Sequence, residues 1–177
     1  MALFERLRDL ALVVEDVRTE RRSVDVSTEF TRVTTIVVLS GGGAEGRGED
    51  VTYTTEDHDW FPSLEAPGST TLGALSESLD ALTLFSAEPK MAASHDYRRW
   101  AFESAALDLA LQQAGMSLAP AVGREAEPVR FVVSTRGDAF AWLAAAPGLE
   151  LKLDPANEWT RDFMERRFGA DFSTVRV

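Results

Sequence analysis

The chain has 177 residues, 45% of them hydrophobic, no cysteine and a formal net charge of −11. That length holds one ordinary domain, or one domain and a fragment, and is too short for a closed eight-stranded (β/α) barrel of about 250 residues. The apolar fraction excludes a disordered tail. The negative charge repels phosphate backbones and anionic lipid, so neither nucleic acid nor a membrane is an expected partner. Without cysteine there are no disulfides and no thiolate metal sites, which fits a reducing compartment; the cytoplasm is the default expectation.

The N-terminal stretch MALFERLRDLALVVEDV is interrupted by Glu5, Arg6, Arg8 and Asp9, so it reads as neither a signal peptide nor a membrane span. Leu10 to Val14 is a short apolar run, followed by alternation through Val17 and a more polar stretch to Val26. Thr34 to Leu39 is β-branched and stops at Gly41-Gly42-Gly43, and Val51 to Thr55 alternates again. These segments predict a three-stranded antiparallel meander with a glycine-rich hairpin between its second and third strands. His58 to Gly68 carries two prolines and no period, which reads as a loop. Thr70 to Leu84 places Leu72, Leu75, Leu79 and Leu82 at helical spacing.

Asp96 to about Ala114 is expected as a helix apolar almost all round. Trp100, Leu107, Leu111 and Ala114 form one stripe, widened by Phe102, Ala106, Leu109 and Ala110, and Gly115 ends it. Val129 to Val133 is a continuous apolar run of the kind found in parallel strands covered on both faces. A short helix, Ala139 to Ala146, follows, then a strand from Leu149 to Leu153. Asp154-Pro155 opens a helix carrying Trp159, Phe163 and Arg167, and Phe172 to Val177 reads as a third strand. The expected fold class is therefore an α+β unit over residues 1–124, followed over 125–177 by β-α-β-α-β, the opening of a (β/α) barrel.

Most sequence motifs dissolve on inspection. Gly41 to Gly46 satisfies G-x-G-x-x-G, but a β-rich acidic run follows where a phosphate-binding loop needs a helix. His58 and His95 have no partner at metal-ligand spacing and are expected as exposed loop residues. Glu49-Asp50 and Glu56-Asp57-His58-Asp59 read as solvated loop charge. Lys152 stands apart: alternation in Leu149 to Leu153 puts Glu150, Lys152 and Asp154 on one face. Two readings stand. That face is a barrel interior, where a desolvated lysine can act as a base near neutral pH, or it is the wet side of an edge strand.

The chain resembles the mandelate racemase and muconate-lactonizing branch of the enolase superfamily. The residues that carry the resemblance are Thr34 to Leu39 with the glycine turn and Gly46-Arg47-Gly48-Glu49-Asp50, then Ala101-Phe102-Glu103-Ser104-Ala105-Ala106-Leu107-Asp108-Leu109. Gly115, Leu118 and Val122-Gly123 follow downstream. The resemblance implies a capping domain followed by the start of a barrel. It implies Mg²⁺-dependent removal of a proton α to the carboxylate of a small substrate. Glu150-Leu151-Lys152 is similar to the second position of the family's K-x-K, which implies a general acid/base role for Lys152; Glu150 replaces the first lysine. The family's Mg²⁺ ligands lie on later strands, and none is assigned here. Cap loops set specificity in that family, so the segments near Val26 to Arg32 and Tyr53 to Phe61 become lid candidates. Trp60 and Phe61, with Ser134 at the end of the first barrel strand, are the candidate substrate contacts. An incomplete barrel leaves strand edges open, which predicts a homo-oligomer or association with a missing C-terminal half, and this chain alone is expected to be inactive. The rival expectation is a non-enzymatic binding or assembly module.

Overall fold

The computed structural model describes residues 3–135, 139–146, 148–153, 160, 162 and 165. The chain divides into two compact units, Met1–Glu125 and Ala126–Val177.

The first unit is mixed α and β. It opens with a short helix, α1 (Leu3–Leu7), which buries Leu7, and a strand, β1 (Ala11–Val14). Three longer strands follow: β2 (Asp16–Ser27), β3 (Phe30–Gly41) and β4 (Ala44–Asp50). They form an antiparallel sheet in the order β2-β3-β4. In β3 the side chains of Val33, Thr35, Val37 and Leu39 alternate onto the buried face, as period-two geometry requires. Gly42 and Gly43 form the two-residue turn into β4, with φ of +56° and +79°. Two successive positive φ values are what a hairpin following the strands' right-handed twist demands.

The third strand is therefore Ala44–Asp50 rather than the predicted Val51 to Thr55. The expectation failed because Gly46 and Gly48 read as turn residues, whereas they sit in the strand beneath a helix. A Cβ on Gly48 would lie 2.7 Å from the Ala105 amide nitrogen and closer still to the Ala101 carbonyl. That helix is α3 (Ser94–Gln113), laid across β4. Its buried positions are Ser94, Arg98, Ala101, Phe102, Ala105, Ala106, Leu109 and Ala110. Small side chains on the helix and none on the strand bring the two backbones together.

The loop predicted from His58 to Gly68 ends in a strand, β5 (Gly68–Thr71), which pairs antiparallel with β1. Thr71 then caps α2 (Leu72–Ser78), its hydroxyl accepting from the Ala74 N–H at 3.2 Å. Leu72, Leu75 and Leu79 join Leu12, Val14, Val37, Leu39 and Phe102 in one core. Gln113, at the end of α3, stitches the two sheets: its amide oxygen accepts from Val13 N, and its Nε2 donates to the Val13 and Gly41 carbonyls, each at 2.9 Å. A short helix, α4 (Leu118–Ala121), closes the unit.

The second unit contains β6 (Val132–Thr135), α5 (Ala139–Ala145) and β7 (Glu150–Leu153). β6 and β7 pair in parallel, as expected, but the strand starts three residues later, and Val129, Phe131 and Val132 are exposed rather than covered on both faces. The helix expected after Asp154-Pro155 and the strand expected at Phe172 to Val177 lie outside the described residues. No helix among the described residues is long and apolar enough to cross a membrane.

Candidate functional site

The two segments singled out as lids meet in the first unit. At the β2–β3 hairpin, the Phe30 ring stacks on Tyr53, with centroids 5.3 Å apart and planes within 17°. The Arg32 guanidinium lies 5.4 Å from the centre of the Tyr53 ring and donates to the Val51 carbonyl at 2.9 Å. The Thr55 hydroxyl donates to the Thr31 carbonyl at 3.1 Å, and Arg21 donates to Asp59 Oδ1 at 2.8 Å. Val24, Val26, Tyr53 and Trp60 are exposed around this junction. The result is an aromatic surface edged by two arginines.

Beneath it runs a buried polar network. Asp50, at the end of β4, accepts from the Thr52 N–H at 2.9 Å, the Thr52 hydroxyl at 2.6 Å and Arg98 Nε at 2.8 Å. Arg98 also donates to three carbonyls: Asp57 at 2.6 Å, Trp60 at 3.2 Å and Leu84 at 2.9 Å. Its guanidinium lies 3.7 Å from the centre of the Phe85 ring and 4.7 Å from that of Phe61. Burial pushes the Arg98 guanidinium below its ordinary value, while Asp50 pulls it back up.

His58 is buried, not the exposed loop residue expected. Its Nε2 stands 2.9 Å from the Thr52 carbonyl, which can only accept, so this nitrogen carries the proton. Nδ1 lies 2.9 Å from the Thr35 hydroxyl, which can donate to it or accept from it. Asp50 and His58 were misread as solvated charge because their partners come from distant segments. One signal was available: Arg98 lies on the same helical arc as Ala101, Ala105 and Phe102, and a charge on an apolar arc requires a buried counter-charge. His95 is half-exposed on α3, edge-on to Phe85 at 5.0 Å and 3.6 Å from Glu88.

Of the two lid aromatics, Phe61 turns inward against Phe102, with ring centres 5.7 Å apart, while Trp60 keeps 40% of its surface exposed. The Arg98 bond to the Trp60 carbonyl fixes that exposed side chain's backbone.

In the second unit, the parallel register sets Ser134 opposite Lys152. Neighbours in register on parallel strands project to the same side, so the hydroxyl and the amine share a face. Both residues are exposed. Glu150, on that same face, accepts from Arg130 at 2.9 Å.

On the outer face of the three-stranded sheet, Arg18, Glu20, Arg22, Glu45 and Arg47 form a ladder above the buried Val38. Hydrogen bonds from Arg18, then Arg22, draw the Glu20 carboxyl down to about 2, so Glu20 stays ionised in moderate acid. Its charges are spent on one another.

These features define an α+β unit with a paired-loop surface, followed by a parallel β-α-β element. A family model matches residues 5–121, and the chain belongs to that family, described as Domain of unknown function (DUF8230) N-terminal domain. No curated protein and no solved structure matches the chain.

Proposed function

We propose that this chain is the capping portion, with the first strands of the barrel, of an enzyme of the enolase superfamily that removes a proton α to a carboxylate. The observation that carries the reading is the parallel β6–α5–β7 element, which directly follows an antiparallel-sheet unit and sets Ser134 opposite Lys152. In this reading β6 and β7 are the first two strands of a partial barrel, and Ser134 and Lys152 lie at its mouth. The Lys152 amine takes the α-proton, and Ser134 donates to the substrate carboxylate. By the same resemblance Trp60 and Phe61 are the cap's candidate substrate contacts; Trp60 is exposed and Phe61 packs against Phe102.

Mg²⁺ supplies charge for the enolate in that superfamily. Among the described residues no three histidine or carboxylate side chains converge as a metal site, so no ligand is assigned and no step is routed through the metal. The substrate is a small carboxylate, the compartment the cytoplasm, and the assembly a homo-oligomer or a union with the remaining barrel strands.

The test is α-proton exchange into deuterated solvent, followed by NMR across a panel of small carboxylic acids, using the full gene product with added Mg²⁺. The expected outcome is exchange of at least one acid. Lys152→Ala should slow it by about 10²–10⁴-fold, the usual cost of removing a general base. Trp60→Ala should act mainly on KM. Unchanged exchange in Lys152→Ala removes this lysine from the chemistry, and no exchange of any acid defeats the enzymatic reading.

A further inference from the structure

Trp100 breaks the pattern expected of it. On an α3 read as apolar all round it belonged to the core stripe, yet 62% of its surface is exposed. It stands as a fin between two concavities. One, of about 160 Å³, is lined by Phe4, Leu7, Leu72, Trp100 and Leu107 with Glu103 and Ser104 at its edge. The other, of about 510 Å³, runs up α3 past Asp96, Tyr97 and Arg99 to Ala93. From Ala93 to Leu107 a helix rises on the order of 20 Å, about four turns. Leu3 and Phe4 add exposed apolar surface at the same end.

The rim of this groove is acidic. Asp96 and Glu103 line it, and Glu5, Glu77 and Asp80 pair with Arg8 and Arg99, so these five carboxylates outnumber those two arginines. The neighbouring bases are already engaged: Arg8 with Glu5 and Glu77, Arg99 with Asp80 and Glu103, and Arg6 with the Val122 carbonyl. A second copy would bring the same carboxylates face to face on a chain of net charge −11, which opposes self-association through this surface.

We infer that this face receives an amphipathic helix of another protein, about four turns long, with an apolar stripe at i, i+3/i+4 and i+7 and lysine or arginine on its flanks. Trp100 is its central anchor. Aromatic residues that pack into a partner's helix dominate such interfaces, and the surrounding charges set orientation and on-rate. The inference rests on the groove alone and is independent of any chemistry at Lys152.

A fluorescein-labelled leucine/lysine peptide of amphipathic period tests it, by anisotropy with the full chain at about 0.15 M salt, where charges beyond a Debye length of about 8 Å are screened. A peptide of identical composition with the stripe scrambled is the control. The amphipathic peptide should bind at least about tenfold more tightly than the scrambled one. Trp100→Ala and, separately, Leu107→Glu should each remove most of that difference. Equal binding of the two peptides, or Trp100→Ala without effect, overturns the inference. So does a dimer in light scattering that Trp100→Ala dissolves, because the occupant is then a second copy. Iodide quenching of the free chain that is unchanged by Trp100→Phe also overturns it, because the chain itself then covers the face.

Discussion

Arg98 holds together more of the first unit than any other polar side chain described. It meets a carboxylate from β4 and carbonyls from three separate stretches of irregular chain, with no surface left to water. Removing one member of a buried pair strands the other, at a cost of about 3–5 kcal/mol. Arg98→Met should therefore lower stability by about that amount in urea denaturation. Arg99→Met, one residue on, removes a partly exposed guanidinium and should cost under about 1 kcal/mol. Equal losses at the two positions would mean that Asp50 does not depend on its partner.

At the scale of elements, the decisive contact is α3 on β4, made possible by Gly46 and Gly48. A methyl on Gly48 meets helix backbone, not a side-chain tip that could swing aside. Gly48→Ala should force α3 off the sheet and cost about 3 kcal/mol, at the upper end of ordinary overpacking. Gly43→Ala, at φ +79° with open space around it, should cost only the strain of the left-handed region, about 1–2 kcal/mol. Denaturation midpoints that ranked the two in the opposite order would argue against close approach as the reason for glycine in β4.

The same elements show what a reader of the sequence can and cannot see. The long helix, the glycine hairpin and the parallel pairing of β6 with β7 were legible because each is written locally, in a helical period, a run of glycines or two β-branched and apolar segments joined by a short helix. β4 was not, since glycines chosen for the helix above them look like turn residues. The β1–β5 pairing joins segments more than fifty residues apart, and no local pattern marks it. Trp60, Phe61, Ser134 and Lys152 were named through the family resemblance, and their roles belong to the proposed function. The Phe30–Tyr53 stack and the Asp50–Arg98–His58 network were not, because each is made by tertiary approach alone. Trp100 shows the converse error: an apolar arc on a helical wheel does not say which part of it has a partner.

The whole molecule carries 29 acidic against 18 basic residues, and of the basic ones only Lys90 and Lys152 are lysines. Self-repulsion of that excess opposes the compact state and is relieved by salt. Ladder pairs such as those around Glu20 lose strength in the same salt, but they are short-range and few beside the net charge. The melting temperature should rise as KCl goes from about 0.1 M to about 1 M, over which the Debye length falls from about 10 Å to about 3 Å. A falling melting temperature in differential scanning fluorimetry would show that the paired ladder outweighs the repulsion.

The arginine at the centre of the first unit has one more effect. The stretch from Asp57 to Trp60 has one short turn of 3₁₀ helix and no strand, the sort of segment that usually frays on its own. Here two of its carbonyls are held by a side chain rooted in the long helix, and its histidine ring is closed between Thr35 and Thr52. The segment has no private way to come loose. It keeps the lifetime of the helix, so the exposed aromatic rings above it are carried on a base as durable as the core.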